Sequence, residues 1–143
     1  MKYDDASWHY GGESSKDLPP EAAATHIGLF VAWAVLSGLA GKLHTEEDLL
    51  ARLVDRSLTP VAWFILACDE KFTDEDLSAE GNAFATEYYG DPEAADRSLR
   101  YLSDFFDVFE EFDAFHVPDT WHSFERLKPM LDGRLAEWRS ARS

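Results

Sequence analysis

Fifteen consecutive residues, Ile27 to Gly41, read IGLFVAWAVLSGLAG and carry no charged side chain. A membrane-spanning helix needs about 20 such residues, so this run is too short to cross a bilayer. A helix that is apolar on nearly every face must instead be surrounded by other elements. Pro19, Pro20 and Glu21 precede the run and suit a helix entry, while Gly38, Gly41, Lys42 and His44 suit an exit. The pattern therefore predicts a buried central helix over Glu21–Leu39 in a single all-α domain spanning residues 1–143.

Other segments read as the surrounding bundle of six or seven helices. Thr45 with Asp48 three residues on resembles a capping box, and Leu49, Leu50, Leu53 and Val54 form a helical stripe. Thr59-Pro60 reads as an N-cap followed by proline at the first helical position. Ser78 can cap a helix carrying Phe84, Tyr88 and Tyr89, and Asp91-Pro92 starts another carrying Leu99, Leu102, Phe106 and Phe109. Asp119 reads as the cap of a last helix, which Pro129 should kink or split. Residues 1–20 hold few helix signals and are expected to form an irregular anchor, with Trp8 and Tyr10 supplying buried area. The same segment also looks strand-like; elsewhere no strand is assigned.

The chain has 143 residues with 45% apolar and 14% aromatic content. That suffices for one core without a disulfide or a metal. The single Cys68 sits in the apolar run WFILACDEKF and reads as a small buried hydrophobe. With one Lys, two Asp and no long apolar run, the first residues do not read as a secretory signal, and a cytoplasmic protein is expected. Acids number 28 against 13 Lys and Arg, a net charge of −15. Such a field repels nucleic acids and anionic membranes and speeds encounter with basic proteins.

The motifs of common catalytic and metal sites do not fit. GGESSKD lacks a Lys followed by Ser or Thr, so it is no phosphate loop. The two EF-hand registers, from Asp69 and Asp74, place Asp74 and Ala79 where glycine is required. The five His residues, at 9, 26, 44, 116 and 122, form no short ligand pair. No catalytic residue, cofactor or metal is expected. One alternative remains: Asp4, Asp5 and His9, in YDDASWHYGG, could meet His26 and form the acid–base or metal site of a small hydrolase.

The stretch SDFFDVFEEFDAFHVPD, Ser103–Asp119, has no Lys or Arg. As a helix it aligns Phe105, Phe109 and Phe112 in one stripe, with Phe106 about 100° away from Phe105. An amphipathic core helix with a solvated acidic face explains the pattern. So does a docking surface for a basic partner, in which Asp104, Asp107, Glu110, Glu111 and Asp113 make the charged contacts and Phe105 and Phe112 act as anchors.

YDDASWHYGG, LPPEAAATHIGLFVAW, CDEKFTDEDLSAEGNAF and DTWHSFERLKPMLDGRLAEWR together resemble an uncharacterised family of small bacterial proteins, a domain of unknown function. The resemblance implies an immunity protein that neutralises a contact-dependent or type VI toxin. It carries no active-site residues. A basic toxin domain is then the expected partner, with nucleic acid and membrane excluded. A regulatory or structural subunit of a larger complex is the third reading.

Overall fold

The computed structural model describes residues 2–9, 24–44, 48–91, 93–94, 100–112 and 117–142, with Trp8 and His9 described by backbone alone. The central helix α1 spans Thr25–Leu36, and every residue from Thr25 to Val35 is buried. It stops short of the expected Leu39 because Gly38 turns left-handed, with φ of 85°, and Leu39 N–H bonds back to the Ala34 carbonyl. Only glycine takes this conformation readily.

α2 (Asp48–Val54) and α3 (Pro60–Cys68) follow. Thr59 caps α3 as expected, its hydroxyl accepting from Ala62 N–H at 3.2 Å. α3 lies so close to α1 that a Cβ on Gly28 would stand 3.2 Å from the Cα of Val61. The Thr45–Asp48 capping box lies outside the described residues.

The expectation of a purely helical chain is corrected at two places. Lys2–Asp5 form a strand, β1, and Lys71–Thr73 form its antiparallel partner β2. Asp4 pairs with Phe72 and Asp5 with Lys71, with an irregularity between Lys2 and Asp4. The pairing is driven by Tyr3, fully buried with its ring 4.6 Å from that of Phe72. Its hydroxyl donates to Asn82 Oδ1 at 2.7 Å. The start of the chain is thus fixed to the core by a strand. The anchoring expected of Trp8 and Tyr10 falls on side chains outside the description.

A 3-10 turn at Asp74–Asp76 leads to α4 (Ala79–Ala85), capped by Ser78 as expected. A π-helical turn, Thr86–Gly90, follows and buries Tyr88 and Tyr89. The described part of α5 is Arg100–Val108. The helix start expected at Asp91-Pro92 is corrected, because Glu93 and Ala94 form a turn in which Ala94 N–H bonds to the Asp91 carbonyl at 3.1 Å and Asp91 Oδ1 accepts from Glu93 N–H. α6 spans Trp121–Arg142 without interruption at Pro129. Pro129 and Glu125, whose carbonyl the proline cannot serve, are both exposed, so that carbonyl's loss of its helical partner costs less than it would in the core. Thr120, rather than Asp119, caps α6 by accepting from Ser123 N–H at 3.0 Å. Asp119 instead accepts from Val61 N–H at 3.1 Å and from the Thr59 hydroxyl, tying the entry of α6 to that of α3.

The core is one cluster around Phe30. Its ring centroid lies 4.9 Å from Tyr89, 4.9 Å from Tyr101 and 5.7 Å from Phe72. α6 closes this core through Trp33, whose indole donates to Asp132 Oδ1 at 2.9 Å.

Candidate functional site

Two groups of residues singled out by sequence can be followed in the fold. The first is the N-terminal acid–histidine set. β1 carries Asp4 inward, and α1 presents His26 from its first turn. Asp4 Oδ2 stands 3.5 Å from His26 Nε2 and accepts from the Tyr89 hydroxyl at 2.6 Å. Asp4 is 7% and His26 4% exposed. The neighbouring Tyr101 donates to the His26 backbone carbonyl and stacks on Tyr89 at 5.1 Å. Burial drives the Tyr101 phenol well above its ordinary value, so it stays a donor. Asp5 does not join this set. It accepts from Lys2 Nζ at 2.8 Å and from Ser7 N–H and Oγ at 2.9 and 2.8 Å. Burial raises its pKa, but the Lys2 and Ser7 contacts outweigh burial and hold the carboxyl below its usual range. The His9 side chain lies outside the described residues. Of the three described side chains, the fold joins Asp4 and His26, and it seals them under aromatic rings.

The second group is the acidic helix. Asp104 and Phe105, expected on the docking surface, point into the core instead, at 6% and 0% exposure. Asp104 receives the Tyr88 hydroxyl at 2.6 Å and a two-pronged contact from Arg134, at 2.8 and 3.1 Å. The opposing effect of burial is outweighed by Arg134 and Tyr88, which together lower the Asp104 pKa. The physical reason is register. With Tyr101 and Phe105 facing α1, Asp104 falls on the seam with α6, where only a paired carboxylate can lie. Phe112 is half-buried against the core. Asp113 lies outside the described residues.

The remaining acids do face solvent. Asp107 and Glu110 are exposed and make no ion pair among the described residues. Glu111 is exposed and paired with Arg126 at 2.8 Å. That guanidinium also donates to the Val108 carbonyl at 2.7 Å and lies 4.9 Å over the Phe109 ring. Phe106, not selected from sequence as an anchor, is 44% exposed. It stands three residues after Ser103 and directly before Asp107, and Glu110 follows four residues on, in the turn after α5. The signal was present: Phe106 is the phenylalanine set off from the Phe105–Phe109–Phe112 stripe.

An exposed aromatic side chain next to exposed acids is an arrangement suited to binding. The chain belongs to the family described as Domain of unknown function (DUF7832), which residues 2–117 match. The match ends ahead of α6, so the closing segment that also carried the sequence resemblance lies outside it. Comparison with curated proteins and with solved structures gives no match. Among the described residues, no helix is long and apolar enough to cross a membrane.

Proposed function

We propose that this protein is a bacterial immunity protein, acting in the cytoplasm, that binds a basic toxin domain and covers its active site. The observation that supports it best is the outer side of α5 and of the turn that follows it. There Phe106 stands 44% exposed beside Asp107 and Glu110, on a chain of net charge −15. The charge would speed encounter with a cationic surface, and an aromatic anchor would slow release. Acids on this face would take the place of the phosphates that a nuclease or nucleotide-directed toxin holds with Lys and Arg. An interface of this kind buries about 1,200–2,000 Å² in total.

The face differs from the set chosen from sequence. Asp107 and Glu110 are retained as direct contacts, and Phe106 takes over as anchor from Phe105. Glu111 enters together with Arg126. Asp104 supports the face from beneath through Arg134 and takes no direct part. The Asp4–His26 pair is a buried tie between β1 and α1 in this reading, and catalysis has no place in it.

The test begins with the basic protein that co-purifies with the wild-type chain from its native cell. Expressed alone in a test strain, that protein should arrest growth, and co-expression of the wild type should restore it. Phe106→Ala with Asp107→Lys and Glu110→Lys should weaken binding by about 100-fold or more and abolish rescue while the circular dichroism stays unchanged. Full rescue by the folded triple variant would remove this face from the proposal. A co-purifying protein that leaves growth unaffected would remove the immunity role.

A further inference from the structure

A second constellation lies away from α5 and is independent of the proposed partner. His44 ends a 3-10 turn, Lys42–His44, Cys68 is the last residue of α3, and Asp76 ends the 3-10 turn after β2. We propose that His44, Cys68 and Asp76 form a binding site for one zinc ion, or a divalent transition ion of like chemistry. The Nε2, Sγ and carboxylate atoms lie within 4.8 Å of one another. The expectation of no metal rested on ligand spacing, but these ligands stand 24 and 32 residues from His44 and have no local spacing to read.

The geometry separates a metal site from a catalytic triad. In a triad, thiol and acid contact opposite nitrogens of the imidazole. Here both converge on one atom: Cys68 Sγ lies 3.6 Å and Asp76 Oδ1 2.7 Å from His44 Nε2. With both on Nε2, acid and thiol are not arranged to relay a proton through the ring, yet the three ligand atoms lie close enough together to share one ion. For zinc, with bonds of about 2.3 Å to sulfur and 2.0 Å to nitrogen, a tetrahedron has an N···S edge of about 3.5 Å. The 3.6 Å separation already meets it. The hydrogen-bonded N···O pair would open to about 3.3 Å as the ion replaces the shared proton. A thiolate and a carboxylate together neutralise a divalent charge, which suits a place where the His44 and Asp76 side chains are 0% and 3% exposed.

The ligands are held by contacts other than those they make to each other. Asp76 Oδ2 accepts from Thr73 N–H at 2.8 Å, which leaves Oδ1 turned to His44. The Asp76 carbonyl accepts from Gly41 N–H at 3.0 Å, and the Gly41 carbonyl from His44 N–H at 3.1 Å. Such support is what orients metal ligands. A separate observation points to a missing ligand. Trp63, its ring packed edge-on 5.3 Å from that of His44, is fully buried, and its indole N–H has no acceptor. Buried donors are rarely left so. A water completing the tetrahedron as fourth ligand would supply one.

The full-length chain, stripped with a chelator, is titrated with Zn²⁺ in competition with a chromophoric chelator, and separately with Co²⁺. One Zn²⁺ per chain is expected, with a thiolate-to-cobalt charge-transfer band and intense tetrahedral d–d bands. Cys68→Ser should lower Zn²⁺ affinity about 100-fold or more and abolish the charge-transfer band. Asp76→Asn should lower affinity in the same direction. Cys68 is only half-buried at a helix end, so Cys68→Ser keeps the fold, as circular dichroism verifies. His122→Ala, at an exposed histidine on α6, should change nothing. Wild-type Zn²⁺ affinity no higher than that of Cys68→Ser, a Co²⁺ spectrum without a thiolate band, or equal loss in His122→Ala would each overturn the site.

Discussion

Asp104 shows how a single carboxylate can be read correctly for charge and wrongly for place. It is buried, and its charged form is held by Arg134 and Tyr88. Because its folded pKa lies below the unfolded value, its contribution to stability is fully present above about pH 4 and is lost as pH falls through the folded value. Urea unfolding across the acid range should show this slope in the wild type and a flatter one in Asp104→Asn. Arg134→Ala leaves Asp104 with the Tyr88 hydroxyl and without its guanidinium, and should cost about 1.5–3 kcal/mol at neutral pH. An Arg134→Ala chain as stable as wild type would show that the pair contributes nothing net. The sequence reading placed Asp104 with Asp107 and Glu111 on one docking surface. It could not place the seam with α6, because that seam is set by Arg134, thirty residues away.

Among the elements, α1 was legible because its signal is local: an uncharged run with glycines at its end. The caps at Thr59 and Ser78 were legible for the same reason. The sheet was not. β1 and β2 are four and three residues long, and each is unremarkable until the other is beside it. The buried positions of β1, Tyr3 to Asp5 in succession, show no alternation to read. Two glycines test how tightly the elements meet. A Cβ at Gly41 would lie 2.6 Å from the Glu75 carbonyl oxygen and 2.8 Å from that of Leu77. Backbone cannot yield as a side chain does, so Gly41→Ala should cost about 1–3 kcal/mol. A Cβ at Gly133 meets nothing within 4 Å in the middle of α6, so Gly133→Ala should stabilise by about 0.5–1 kcal/mol. Thermal melts of the two variants should therefore move in opposite directions. Shifts of the same sign would show that the approach at residue 41 is looser than described.

For the molecule as a whole, fifteen excess negative charges repel one another in the folded state more than in the expanded chain. Moderate salt screens this repulsion over about 8–10 Å. Added sodium chloride, up to roughly physiological strength, should raise the melting temperature of the isolated protein while slowing its association with a basic partner. The two effects have one electrostatic origin and opposite consequences, so a partner whose binding rate ignores salt would argue against charge-guided encounter. Sequence supplied the amount of charge. It did not say which acids were spent inside, as Asp4, Asp76 and Asp104 are, and which remained for solvent, as Asp107 and Glu110 do.

The pairing of β1 with β2 has a consequence for how the chain is made. Lys2–Asp5 leave the ribosome long before Lys71–Thr73, and at about 5–20 residues per second the first strand waits several seconds, roughly, for its mate. α1 emerges in the same interval with its apolar faces bare, and Trp33 meets Asp132 only after about a hundred further residues have followed it. A nascent chain of this design has a long period in which its stickiest segment is uncovered. Its yield in the cell should therefore depend on holdase chaperones and growth temperature more than the stability of the finished fold would suggest.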